Sequence, residues 1–589
     1  MKRLERSQKY RSHSVHRSHS VRLAVLLVFG FVSAQLQGLF NLLLRGSLAK
    51  NQKSSLRNGC GICSTALVCC LLIAAAFPIG RVAAYEYAEV TLDYVAAKAL
   101  ARAQKPFHSP KVDFPDFLRE DKLNYDKYRE IEFRHEDALW ANQPLPFRVE
   151  FFHPGYIYQE PIHVNEFTLT YVQPVRFVQD WFNYRALKLP KQIPPDTGYA
   201  GFKVLYPLNE ANKWDELGSI LGASYFRFLG KGQSYGESAR GLALDCGETD
   251  RLEEFPIFTD WWLGKPSQGE DRLKMYAILD SVSCVGAYRF VVIPGQTTVV
   301  DVDVILYFRE GDKVRAVNPD RKPIKTIGIA PFSSMFWYGK ASERRFDNYR
   351  PEVHDNDGLL MKMGNGEVLW RPLVNPAKMS HQVFATKSIA GFGLIQRDRN
   401  FSDYQDLFNG YVKTPSVWVR PNGGPNGGDW GDGEVHLLEM STANEYEDNI
   451  AAFWNPKNQP APLQPFKFSY TLLWGTNEDD MKLNFDRDRV VATRVGVDPR
   501  DPKIREFMVD FAGPKLKGFS ETNKPQAITS CSANAGIAYS EIYYNPYESC
   551  WRVDIKLEPH NQDPVDIRCT LQKGEEVLTE TWTYHWSPP

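Results

Sequence analysis

The sequence lacks the short signatures of nucleotide, metal and nucleic-acid chemistry. It has no glycine-rich phosphate loop, no zinc-type Cys/His spacing and no H-E-x-x-H. Neither a backbone cradle for phosphates nor a helix-borne metal centre is therefore written in a motif, and no cofactor or metal is expected. Cysteine is sparse past residue 84, where Cys246, Cys284, Cys531, Cys550 and Cys569 remain. Five is odd, so at least one thiol is free within the chain, and spacing fixes no pairing. Positive charge is short in the same region. Residues 1–84 hold 12 Lys/Arg against the single acid Glu5, and the whole chain has a formal net charge of −1, which leaves −12 for residues 85–589. A mildly acidic body without a basic patch argues against nucleic acid as a partner.

What is present starts with a targeting pattern. Basic residues precede an apolar stretch from Leu23 to Leu44, which Gln35, Gln37 and Asn41 interrupt. A second basic patch (Arg45, Lys50, Lys53, Arg57) precedes a second apolar stretch, Cys60 to Gly80, that ends in Val82-Ala83-Ala84. A basic segment, an apolar core and small boundary residues describe a secretory signal, with cleavage expected after Ala84. No Arg-Arg pair precedes either stretch, which disfavours a twin-arginine route. The competing reading is an uncleaved anchor, since the second stretch is about long enough to span a bilayer. The expectation is a Sec-type signal over 1–84 and a periplasmic mature chain.

At 589 residues the chain exceeds one ordinary domain. Thr91 to Ala103 places Leu92, Val95, Ala96 and Leu100 at helical spacing. After it, runs such as Phe147–Phe152, Ile162–Val172 and Thr298–Phe308 alternate or cluster β-branched and aromatic residues, which are strand signals. With no long alternation of strands and helices, packed antiparallel sheets are expected. Four prolines within 455–465 read as a linker. The short strand runs after it fit an immunoglobulin-like sandwich. The expected organisation is all-β: a large sandwich over 85–454, a proline-rich linker over 455–466, and an immunoglobulin-like domain over 467–589.

The chemistry-bearing stretch is Pro351 to Pro372, PEVHDNDGLLMKMGNGEVLWRP. It sets His354 beside Asp355 and Asp357 on a turn-forming Asp-Asn-Asp-Gly run, because Asn and Asp hydrogen-bond their own backbone and Gly accepts positive φ. A second turn, Gly364-Asn365-Gly366, leads to Glu367, Trp370 and Arg371. Acids beside an aromatic and an arginine suit a polar ring-shaped ligand; the plainer reading is a solvated surface hairpin.

Several words of the sequence resemble one family. They include Leu221-Gly-Ala-Ser-Tyr-Phe-Arg, Tyr235-Gly-Glu-Ser-Ala-Arg-Gly-Leu-Ala-Leu-Asp, Gly328-Ile-Ala-Pro, Arg350-Pro-Glu-Val-His-Asp, Gly391-Phe-Gly-Leu-Ile-Gln-Arg-Asp-Arg, Tyr404-Gln-Asp and Asp448-Asn-Ile. Their order and length resemble the periplasmic glucan biosynthesis proteins of the MdoG/OpgG and OpgD family, and the G branch more than the D branch. The resemblance covers essentially all of 85–589. It implies a galactose-mutarotase-like large sandwich followed by an immunoglobulin-like domain. It also implies work on osmoregulated periplasmic glucans with a β-1,2-linked glucose backbone, with room for contact with the inner-membrane machinery that makes them. Asn356 stands where the family often has Ser, and the loop Pro421 to Trp430 is longer than expected.

The same resemblance implies inverting hydrolysis of β-1,2-glucan, with the two functional carboxylates falling on Asp355 and Asp448. Glycoside hydrolysis needs a protonated carboxyl for the leaving oxygen and a second carboxylate to activate water, directly or through a relay. Asp448 is expected as the acid, its pKa raised by crowding from Glu445 and Glu447, and Asp355 as the base. His354, Asp357, Glu367, Trp370, Arg371, Tyr404 and Glu445 are the expected substrate contacts. The alternative from another class is a non-catalytic glucan-binding or scaffold protein; a sugar isomerase would borrow from the fold alone.

Overall fold

The computed structural model describes residues 89–342, 346–424 and 429–588. The expected signal over 1–84 lies outside the described residues, as does the middle of the loop after Gly424. The described residues form one compact unit built mainly of β-strands.

The helix expected near residue 91 runs Leu92–Ala103, where Thr91 Oγ1 accepts the Tyr94 N–H as N-cap. Its buried face is small: Val95, Ala96, Ala99 and Ala103. That lets it lie close on Trp262, Tyr276, Ile278 and Val285 of the sheet beneath. The strand Thr298–Phe308 shows why the sheets form. Thr298, Val300, Val302 and Val304 are buried while Val299, Asp301 and Asp303 between them are half-buried, the two-residue period of a pleated strand. The run expected as one strand over 162–172 breaks in two. His163–Phe167 and Val172–Val175 pair antiparallel around a turn that Thr168 closes by accepting from Thr170 and Tyr171.

Two sheets make the large sandwich. A 10-stranded sheet includes Ser238–Arg240, Ile327–Ser334, Asp432–Glu439 and Ile450–Pro456. It faces a 15-stranded sheet that includes Cys284–Ile293, Thr298–Phe308, Phe466–Gly475 and Gly358–Lys362. Between them lies an aromatic core with Phe202, Trp261, Phe290, Phe332, Trp454 and Trp474.

The proline-rich stretch does not mark the domain boundary. It is largely exposed, as its composition suggests, but the strand after it, Phe466–Gly475, inserts between Thr298–Phe308 and Ser416–Gly423 in the large sheet. Prolines fix local backbone and say nothing about the non-local pairing that follows. The second core joins residues from Met481 onward to Leu360, Val368, Trp370, Ile395, Trp418 and Leu473 of the large sheet. There a four-stranded sheet, Arg489–Asp498, Asp501–Ala512, Cys550–Pro559 and Ala535–Asn545, packs Phe507, Val509, Trp551 and Val553 with Ile567, Cys569 and Trp582. The strand Thr581–Trp586 pairs parallel with Val368–Pro372, Trp370 opposite Trp582. One sheet therefore runs continuously from the large sandwich into the C-terminal one. All five described cysteines are free thiols.

Candidate functional site

The segment from Val353 to Asp357 is not a solvated turn. Val353–His354 pairs with Phe336–Tyr338, and the Asp355 N–H donates to the Met335 carbonyl at 2.8 Å. His354, Asp355 and Asn356 are all buried. Neighbouring residues of an extended chain point to opposite sides, and here the motif divides between two centres.

The first centre gathers carboxyl groups from distant parts of the chain. Asp355 packs against the backbone of Gly236: a Cβ added there would sit 3.3 Å from the Asp355 Cγ and 2.8 Å from Thr414. The Thr414 hydroxyl donates to the Asp355 carbonyl at 2.8 Å. The next residue, Glu237, is fully buried, and neither of its carboxyl oxygens has a hydrogen-bond partner. Burial drives its pKa well above the usual carboxylate range and the Asp355 charge pushes it further; the nearby Asn356 amide, whose N–H groups go to the Leu394 and Pro415 carbonyls, opposes this, and the Asp448 charge adds least. Tyr411 faces Asp355 from another loop; burial, then the Asp355 charge, hold its hydroxyl protonated. Asp448 stands exposed near the end of the hairpin loop that joins Asp432–Glu439 to Ile450–Pro456. Its neighbour Asn449 fixes that loop, accepting from the Phe336 N–H at 2.9 Å and donating to the Met440 carbonyl at 2.9 Å.

The crowding expected around Asp448 is absent. Glu445 turns to Arg350 at 2.7 Å and to the Tyr411 hydroxyl at 2.6 Å, and Glu447 accepts from Thr442 at 3.0 Å. Arg350 also bonds Asp406 at 2.8 Å, so this ion network ties together the loops that carry residues 350, 406–411 and 445. Glu445 thus holds the loops in place. Tyr349, Phe408 and Tyr446, each next to or two residues from a member of the network, are exposed.

The second centre lies where the two sandwiches meet. His354 Nε2 is 3.3 Å from Glu352 and 3.6 Å from Asp357, its Nδ1 is 3.2 Å from the Gln396 Oε1, and its ring stacks on Phe336. Burial would lower its pKa, but the Glu352 hydrogen bond and the charges of Asp357, Glu352 and Asp398 outweigh it and raise the imidazolium to about 9. Lys340 bridges Glu352, Asp398 and Asp403. Arg397 bonds Glu478 and Glu580 and lies 3.6 Å over the Trp370 ring. The cavity here is about 40 Å³, room for water but not for a sugar ring.

Most of the expected substrate contacts therefore serve the fold. Trp370 is covered by Arg397 and crowds Gly358, where an added Cβ would meet the indole at 2.5 Å; it offers no open face. Arg371 is fully buried in an ion pair with Glu439 at 3.0 Å. Glu367 bonds Arg568 at 2.5 Å and Thr581 at 2.8 Å in the C-terminal sandwich. Tyr404 is buried, donating to the Asp398 carbonyl at 2.9 Å. Asp357 accepts the Asp398 N–H at 2.7 Å and, with His354, belongs to the second centre. Short-range spacing could not reveal the pairings of Trp370, Arg371 and Glu367, whose partners lie from 27 to 214 residues away.

A larger cavity of about 730 Å³, lined in part by Lys362, Trp418, Arg420 and Phe485, contains none of the expected residues. Among the described residues no cluster of His, Cys, Asp and Glu could hold a metal ion, and no helix is long and apolar enough to cross a membrane.

Comparison with known proteins identifies the setting of this centre. The profile of the family described as periplasmic glucan biosynthesis protein, MdoG, matches residues 91–586. The chain belongs to the MdoG family. The chain is also 40% identical over 505 residues, 84% of its length and 92% of the other's, to "Glucans biosynthesis protein G" of Serratia proteamaculans (strain 568). Membership places the chain in periplasmic glucan biosynthesis, and both centres fall inside the matched region.

Proposed function

We propose that the chain acts on the β-1,2-linked backbone of periplasmic glucans as an inverting hydrolase, exported by a cleavable signal that ends near Ala84. Asp448 protonates the leaving oxygen, and Asp355 receives the proton of the attacking water. The observation that supports this reading is that Asp355 and Asp448, 93 residues apart in sequence, both lie near enough to the buried Glu237 for their charges to act on it. An exposed carboxyl can meet a polymer, while a buried one cannot touch its water directly. Asp355 then works through a relay of water or hydroxyl, and the Tyr411 hydroxyl faces it. The exposed rings of Tyr349, Phe408 and Tyr446 offer faces on which glucose units can stack.

The burial of Asp355 also favours a second reading, a binding or scaffold protein that guides the glucan without cutting it. Incubating the exported protein with linear β-1,2-glucan and sizing the products separates the two. Shortened chains support hydrolysis; glucan that is retained but unshortened supports the scaffold.

A further inference from the structure

We propose that Glu237 is the third carboxyl group of this centre and a positioning residue. It holds the proton that keeps the buried floor of the site at a single negative charge, carried by Asp355. The proposal rests on the carboxylate centre described above being the site of glucan cleavage.

Three observations carry it. Glu237 is fully buried, yet neither carboxyl oxygen has a hydrogen-bond partner. A structural carboxylate in a protein interior is paired with a cation or with N–H donors, because burying its charge alone costs heavily. Arg371 with Glu439 and Arg350 with Glu445 show how this chain pairs its structural acids. Glu237 has no such cation. The charged groups that act on it are Asp355 and Asp448, both acids, and the third neighbour, Asn356, is neutral. The nearby cation on the adjoining strand, Arg227, spends its Nε on the Ser238 hydroxyl at 2.7 Å. Finally, Gly236 seats the backbone before Glu237 close to Asp355: a Cβ there would clash with Thr414 at 2.8 Å and crowd the Asp355 Cγ at 3.3 Å, so the residue without a side chain keeps this approach.

Two like carboxyls in one low-dielectric site cannot both ionise easily, so one keeps its proton. Glu237 has both carboxyl oxygens buried without a donor, against one oxygen of Asp355, and it is the holder. As a neutral acid it leaves Asp355 as the base. Once Glu237 ionises, the added charge raises the proton affinity of Asp355 and repels any anionic intermediate on the relay.

Infrared difference spectra of the exported protein test this without reference to turnover. Wild type at pH 7 should show a protonated-carboxyl C=O band that Glu237→Gln lacks. Asp355→Asn, which removes the neighbouring charge, should lower the pH at which the band disappears by about one unit or more. Turnover of β-1,2-glucan should fall on the alkaline side in wild type, with that fall absent or displaced in Glu237→Gln. No such band at pH 7, or a titration unmoved by Asp355→Asn, overturns the proposal. If Glu237→Gln does not fold, carboxyl-labelled glutamate NMR of wild type against Asp355→Asn reads the same titration. A wild type that cleaves no glucan sinks the hydrolase reading, while the band still decides the state of Glu237.

Discussion

Raising the pH through the alkaline range perturbs the joint between the two sandwiches by removing one proton, that of His354. Its imidazolium is buried against Glu352 and Asp357, with Asp398 close by, and its pKa stands at about 9 in the fold against 6.5 for the free side chain. Because the folded value is the higher, the bound proton stabilises the native state fully below about pH 6.5, and this contribution is lost as pH rises through about 9. The gap, at roughly 1.4 kcal/mol per pH unit, is worth about 3 kcal/mol. About 2 kcal/mol of it disappears between pH 7.5 and 10. Other groups titrate in that window, so the measurement is comparative: urea unfolding of wild type and His354→Gln at both pH values. Wild type should lose about 2 kcal/mol more than the variant between them. Parallel losses in the two proteins would refute the assignment of a charged imidazole to this joint.

Three further outcomes follow from the pairings. Arg371→Ala leaves Glu439 as an uncompensated buried charge and should destabilise by about 3–5 kcal/mol, read as a large fall in the urea midpoint; a near-neutral effect would return Arg371 to the list of ligand contacts. Glu367→Ala removes a partly exposed bridge to Arg568 and should cost less than about 1 kcal/mol, with glucan binding unchanged by calorimetry. Gly236→Ala forces a methyl group to within 2.8 Å of Thr414 and 3.3 Å of Asp355. It should cost about 1–3 kcal/mol and depress turnover more than glucan affinity, a split that steady-state kinetics and calorimetry read together.

The strands and the first helix were legible in the sequence because their signals are periodic and local. Thr298–Phe308 alternates in the structure as it does in sequence, and Thr91 caps the helix that its spacing predicts. What is non-local was not legible. The prolines before Phe466 suggested a boundary, yet the next strand completes the large sheet by pairing with residues about 170 positions earlier. Charged residues in 351–372 read as a solvated turn, because an acid is costly to bury alone; the structure buries His354, Asp355 and Arg371 beside Gln396, Thr414 and Glu439, partners that no local window contains. Glu237 is not among the residues that the sequence singles out. The signal was an acid inside Tyr235-Gly-Glu-Ser-Ala-Arg-Gly-Leu-Ala-Leu, a run otherwise suited to short buried strands. Asp355 and Asp448 entered through family resemblance, since nothing in their own spacing brings them to one place.

Whether Asp355 and Asp448 perform chemistry is measured directly by product sizing of linear β-1,2-glucan treated with wild type, Asp448→Asn and Asp355→Asn. The amide is nearly isosteric with the carboxyl but cannot supply or take the proton, so both variants should keep their fold and their glucan affinity. Turnover should fall by about 100- to 10,000-fold, the usual worth of a general acid or base. Cleavage by both variants at the wild-type rate would contradict the account.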